Sequence, residues 1–373
     1  MPQLRTMTRR FLLAIGLVLF SAPVWAQLPA DAEVRKILAE RVGAENRGIA
    51  IVAGLIDANG RRVIAYGSGA GGDTMFEIGS MTKVFTSLLL MDMTRRGEVA
   101  LTDPIAKYLP ESVKVPERNG RKITLADLST QSSGLPRLPS NMAPKDMSNP
   151  YADYSVQQLY DFLSGYRLAR DIGAQYEYSN LGVGLLGHVL ALRAGMSYEA
   201  LVRSRICEPL GMADTRITLT PEMKARLATG HNGAGKPVPN WDLPTLAGAG
   251  ALRSTADDML TFLAANLGFV KTPLAQAMAD EVSIRRPVGG DMEIAYGWHV
   301  QTRDGKPIIW HNGGTGGYRS YMGYDPKART GVVVLTNIST VQGADDIGRH
   351  LLNASYPLAK AGAGRIIFAV PAE

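Results

Sequence analysis

Two periodicities run along the chain. Residues 31–43, opening on DAEVRKILAERV, carry apolar side chains at helical spacing and predict a surface helix. The next stretch, GIAIVAGLIDANGRRVIAYGSG from Gly48 to Gly69, changes to two β-rich runs around Asp57-Ala58-Asn59-Gly60 and predicts a hairpin. Over about 79–289 the helical period returns, with segments near 80–96, 124–131, 155–164, 181–194, 198–207 and 255–267 separated by proline-rich loops such as GLPRLPSNMAPKDMSNP. From about 295 the pattern is again that of strands, in AYGWHVQTRDGKPIIWHNGG and YRSYMGYDPKARTGVVVLTN, and a last helix follows near 343–354. Strands at both ends with helices between them imply an α+β fold, in which one sheet is assembled from the two terminal regions and the helices form an insertion. The expected partition is a sheet part over about 27–78 and 290–358 and a helical part over about 79–289.

Composition and charge narrow this picture. With 46% hydrophobic and 20% charged residues in 373, the chain can bury a large core, and disorder is not its expected state. Arg5, Arg9 and Arg10 precede the apolar run Phe11–Phe20, and SAPVWA follows with Val24 and Ala26 at the small-residue positions of a cleavage site. That order predicts a signal peptide over residues 1–26, and its apolar core is short for a membrane span. The expected product is periplasmic or secreted, without a stable membrane anchor. Removing the leader takes three arginines and no acid, which lowers the net charge from +6 to +3. No basic run interleaved with aromatic residues is left, so no nucleic-acid partner is expected. Cys207, the single cysteine, cannot form an internal disulfide and reads as a small buried side chain at a helix end.

Three constellations can carry chemistry. In FEIGSMTK, Ser80 and Lys83 stand three apart at a helix start, so their side chains share a face. A serine hydroxyl needs a base, and a lysine supplies one when desolvation and nearby positive charge keep it neutral. A lone S-x-x-K is more often a helix cap followed by a solvated lysine, but here apolar residues flank it on both sides. In YEYSNLGVGLLGHVL, Tyr178 and Asn180 lie on a turn before an apolar helix: tyrosine can move a proton and an amide can orient a lysine or a carbonyl, although Asn180 could be only a cap. In IIWHNGGTGGYRSYMGY, His311-Asn312-Gly313-Gly314 ends a β-run, either as an edge strand that lets a substrate backbone approach or as a glycine-rich hairpin loop.

Taken in order, Ser80-x-x-Lys83, Tyr178-x-Asn180 and His311-x-Gly313 resemble the serine β-lactamase and penicillin-binding-protein superfamily, closest to its class C branch with the related D,D-peptidases and esterases. LTDPIAKYLPE, ITLADLSTQSSGLP, EPLGMADT and GALRSTADDMLTFL look like segments of the same family, so the resemblance spans nearly all of the mature chain. It implies a five-stranded antiparallel sheet flanked by helices, a mainly helical subdomain, and a site in the cleft between them. Ser80 would be the acylated nucleophile, Lys83 its base, and Tyr178 the group that passes protons to the leaving group and helps activate the deacylating water. Asn180 would bind the substrate amide, and the amides of Ser80 and Gly314 would form the oxyanion hole. Neither metal nor other cofactor is called for, and the five histidines show no metal-ligand spacing.

One departure stands out. Class C enzymes carry lysine-threonine-glycine where this chain has His311-Asn312-Gly313. Histidine is mostly neutral near pH 7 and is a weaker partner for a substrate carboxylate than lysine, with charge expected to appear toward pH 5.5. Three functions follow: hydrolysis of β-lactams, hydrolysis of D-alanyl peptides or simple esters by the same residues, and a binding module that is acylated and stays so.

Overall fold

The computed structural model describes residues 28–43, 48–340 and 343–359, and the leader expected over 1–26 lies outside them. Helix α1 (Asp31–Val42) leads to the hairpin of β1 (Ala50–Asp57) and β2 (Gly60–Gly67). The hairpin closes on the Asp57–Gly60 pair, where the Asn59 amide donates to Asp57 Oδ1 at 2.8 Å, so the Asn-Gly signal marks a tight turn. The helical middle is built on α2 (Thr82–Arg95), α3 (Asn180–Ala194) and α4 (Ala256–Asn266), with shorter helices at Leu125–Ser129, Val156–Gly165, Tyr198–Val202 and Ala275–Glu281. Strands β3 (Arg286–Gly289), β4 (Met292–Ile294), β5 (His299–Arg303), β6 (Lys306–Gly314), β7 (Arg319–Asp325) and β8 (Thr330–Thr336) follow, then α5 (Asp345–Leu352).

These strands form one sheet in the order β2-β1-β8-β7-β6-β5-β4-β3, antiparallel throughout. Its eight strands exceed the five that the resemblance implied. The difference lies on the β6 side, where β5 and the hairpin β3–β4 extend the sheet. That hairpin is short, RPVG and MEI, and only Ile294 in it is buried, so it carries no clear apolar alternation. The first and last strands of this sheet in chain order, β1 and β8, lie side by side next to β2, Val52 opposite Leu335 and Gly54 opposite Val333.

Both faces of β1 and β8 are covered. Ile51, Ala53 and Leu55 of β1 pack with Val332 and Val334 of β8 in the layer of α1 and α5. Val52, Ile56, Val333 and Leu335 turn the other way into the larger core with α2, α3 and α4. Two covered faces explain why β1 and β8 read as unbroken apolar runs. Helix α2 is buried from Thr82 to Met93, and a helix apolar all round belongs in the middle of a core. Ser179 caps α3, its Oγ accepting the Gly182 amide at 2.8 Å, and Gly195 ends it at φ 65°.

The turn Ala247–Gly250 lies against both α2 and α3. It fits because Gly187 and Gly248 meet without side chains: a Cβ on Gly187 would stand 2.8 Å from Gly248 Cα. Cys207 is buried, and burial followed by the charge of Asp258 pushes its thiol up to about 12, so it is chemically inert. Among the described residues, no helix is long and apolar enough to cross a membrane.

Candidate active site

The short strand Phe76–Glu77, paired with Arg253–Ser254, delivers the chain to a 3₁₀ turn, Gly79–Met81, that runs into α2. Gly79 sits at φ +50°, and a Cβ there would meet Gly314 N at 2.7 Å. Glycine at 79 therefore allows both the left-handed turn and the close approach of the β6 end to Ser80. Gly313 is needed for the same contact, since a Cβ on it would lie 2.0 Å from the Ile78 carbonyl oxygen.

Lys83, one helical turn on, is fully buried. Its Nζ lies 2.9 Å from Ser80 Oγ, 2.9 Å from Asn180 Oδ1 and 2.7 Å from the Ala249 carbonyl oxygen. Burial, and after it the positive charge of Arg137, holds its pKa well below the ordinary lysine value. Nζ donates to all three oxygens, and an amine that gives up one proton keeps two N–H groups and gains one lone pair. The two carbonyl oxygens can only accept, so in the deprotonated form the lone pair is the one free to turn to the Ser80 hydroxyl.

The Tyr178 hydroxyl donates to Ser80 Oγ at 2.6 Å. Burial pushes this phenol up to about 12, against the opposing pull of its Ser80 hydrogen bond and of Arg137, so it carries its proton at neutral pH. Lys83 Nζ stands 4.8 Å and the Arg137 guanidinium 4.9 Å from the centre of its ring. Asn180 is the first residue of α3, with Ser179 as the cap, so its amide is released for the site. Its Oδ1 holds Lys83 and its Nδ2 donates to the Tyr151 hydroxyl at 3.0 Å, which leaves one of two amide hydrogens for another acceptor.

On β6, His311 faces the Ser80 side and is 1% exposed. Its Nδ1–H donates to the Asn312 carbonyl at 2.6 Å, and its ring centre lies 5.1 Å from that of His299. Burial, then the neighbouring His299 and Lys83, drives its pKa well below the ordinary histidine value. This runs against the expectation that His311 gains charge toward pH 5.5: burial and the neighbouring bases disfavour its protonation. Asn312 is a second correction. Alternation along a strand turns its side chain to the opposite face, where Nδ2 donates to Asp345 Oδ2 at 2.5 Å, so it stands away from Ser80.

Ser80, Lys83, Tyr178, Asn180, His311, Gly313 and Gly314 thus converge. Sequence reasoning missed Ala249, whose contribution is a carbonyl that every residue type carries. It also missed Tyr151, distant in sequence, and Arg137, which stood unremarked in the loop GLPRLPS.

The chain is similar to known proteins over most of its length. The D-alanyl-D-alanine-carboxypeptidase/endopeptidase AmpH of Escherichia coli is 33% identical over 321 residues, covering 80% of this chain and 81% of its own. A β-lactamase of the same organism is 28% identical over 316 residues, covering 75% and 80%. The crystal structure of a class C β-lactamase from Rhodobacter sphaeroides matches with a TM-score of 0.73 at 25% identity, over 87% of this chain and 98% of its own. A family model described as β-lactamase matches residues 34–355, a span that holds every strand of the sheet and the whole Ser80 cluster. This chain therefore belongs to the β-lactamase family and is a serine hydrolase.

Proposed function

We propose that the chain is an exported, class C-like enzyme that hydrolyses β-lactams through an acyl-enzyme on Ser80. The observation that carries the reading is the fully buried Lys83 amine, 2.9 Å from Ser80 Oγ, with its other two partners both carbonyl oxygens. Lys83 takes the Ser80 proton as Oγ attacks the carbonyl carbon. The amides of Ser80 and Gly314 receive the oxyanion. Tyr178, protonated at rest, gives its proton to the departing nitrogen or oxygen and recovers one from Lys83; the same pair then activates the water that releases the acyl group. Asn180 keeps Lys83 in place and offers its remaining amide hydrogen to the substrate carbonyl. His311, neutral and buried, lines the β6 wall.

A second reading, hydrolysis of D-alanyl peptides or simple esters, is favoured by that same neutral His311 where class C enzymes carry a lysine. The 33% identity to a D-alanyl-D-alanine carboxypeptidase/endopeptidase, against 28% to a β-lactamase, supports it too. Export to the periplasm rests on the leader pattern, charged then apolar then small.

The test is steady-state turnover of the secreted protein on a chromogenic cephalosporin, a p-nitrophenyl ester and a D-alanyl-D-alanine peptide, beside its Ser80→Ala variant. At least one substrate should turn over with a loss of about a thousandfold or more in the variant, and mass spectrometry should read an N-terminus at Gln27. A Ser80→Ala protein as active as wild type sinks the mechanism, stoichiometric labelling without turnover points to a binding module, and an intact Met1 in exported protein sinks the leader.

A further inference from the structure

Where class C enzymes carry a lysine this chain has His311, a buried ring whose pKa is driven well below the ordinary histidine value. A guanidinium beside the described cluster is that of Arg137. It follows the buried turn Ser132–Leu135, its backbone carbonyl accepts the Leu181 amide at 3.2 Å, and its side chain is exposed. The guanidinium lies over the Tyr178 ring, 4.9 Å from its centre, and the hydroxyl of that ring is 2.6 Å from Ser80 Oγ. Among the described residues the Arg137 side chain makes no hydrogen bond or ion pair. The other arginine near Ser80, Arg319 beside Gly314, is already engaged: its Nε donates to the Thr340 carbonyl at 3.0 Å, and Asp345 lies within its field.

We propose that Arg137 is a specificity-determining residue that receives a carboxylate of the substrate, so that the enzyme prefers acyl donors bearing a negative charge one phenol ring away from the scissile carbonyl. The inference rests on Ser80 being the acylated residue. Contact with the Tyr178 ring holds the guanidinium beside Ser80, and the exposed side chain keeps N–H groups free for a ligand. A planar, weakly hydrated fork held in this way is suited to a bidentate carboxylate. The long-range charge of Arg137 also acts on Lys83 and Tyr178, but that effect is common to every substrate. A preference between charged and neutral substrates isolates the direct contact.

The carboxylate can belong to the leaving group or to the acyl group, and two matched pairs of substrates separate these cases. One pair is a glycyl thioester of mercaptoacetate and its mercaptoacetamide counterpart, which differ in the charge of the leaving group. The other is p-nitrophenyl hemiglutarate and p-nitrophenyl butyrate, which differ in the charge of the acyl chain. For Arg137→Ala, the kcat/KM ratio of charged to neutral substrate should fall by about tenfold in one pair, Arg137→Lys should retain part of it, and added salt should shrink the wild-type ratio. The pair that responds identifies the side. Ratios within about twofold of wild type in both pairs overturn the proposal. Because Arg137 is exposed, the variant should fold, and an unchanged melting temperature checks this. Activity of Ser80→Ala on the neutral substrates would instead overturn the reading of Ser80, so the two failures are distinguishable.

Discussion

A lysine amine in water is protonated at neutral pH, and burial in the enclosed first turn of α2 pushes Lys83 toward its neutral form. The serine-lysine spacing was legible because three residues make nearly one helical turn and the flanks are apolar. What the sequence could not show is the third partner, the Ala249 carbonyl, since a backbone oxygen has no letter of its own. The low pKa has a consequence for stability. The unfolded chain holds a lysine of ordinary pKa, about 10.4, whereas the folded one holds Lys83 well below that value. Between the two, the unfolded state binds more protons, so unfolding free energy rises with pH across that window. Lys83→Met lacks this contribution and lacks the base. Wild type should therefore gain stability relative to Lys83→Met when chemical denaturation is repeated at pH 7 and pH 9.5. Acylation by the variant should be about 10²- to 10⁴-fold slower. Parallel stability profiles for the two proteins would mean that Lys83 is charged in the folded state.

At the level of elements, most helices and the first hairpin followed from periodicity and turn residues with bounds close to those observed, whereas the helix Ala275–Glu281 was not foreseen. The segment near 181–194, for example, is α3, Asn180–Ala194. The hairpin β3–β4 was not legible, because it is stabilised by pairing with β5 rather than by an apolar face of its own. Nor was the turn Ala247–Gly250, four residues whose shape is set by neighbours that touch it. That turn links packing to catalysis, because it holds the Ala249 carbonyl against Lys83 only while Gly187 and Gly248 stay in contact. Gly187→Ala adds a methyl 2.8 Å from Gly248 Cα and 3.1 Å from the Tyr198 ring, so the turn must move. The expected cost is about 1–3 kcal/mol of stability, with a loss of kcat/KM as Lys83 loses its 2.7 Å partner. Gly195→Ala, at φ 65° with open space around it, is the control. It should cost about 1 kcal/mol by backbone strain and leave kcat/KM alone. Equal kinetic effects of the two substitutions would show that the turn does not position Lys83.

At the scale of the molecule, strands at both ends of the sequence predicted a sheet joined across the insertion, and β1 beside β8 realises it. The strand count was harder to read, because edge strands are short and wet. The sheet and the helical middle share one core: Val52, Ile309 and Val333 from strands belong to the same buried cluster as Leu89, Leu185 and Phe262 from helices. Ser80 and Gly314 meet along that shared boundary, so the site persists only while the two parts remain docked. Chains of this length commonly unfold in more than one step, and a two-part architecture invites it. The continuous core argues for one step here, since neither part can separate without exposing the buried faces of α2 and α4. The helices report through far-ultraviolet circular dichroism, and the sheet through the fluorescence of Trp298 and Trp310, both buried and both in or beside strands of the β5–β6 pair. Urea titrations followed by the two signals should give coincident midpoints, and turnover should vanish at the same concentration. If fluorescence and circular dichroism separate, with activity lost at the earlier transition, the two parts undock before either unfolds, and the shared core is weaker than its burial implies.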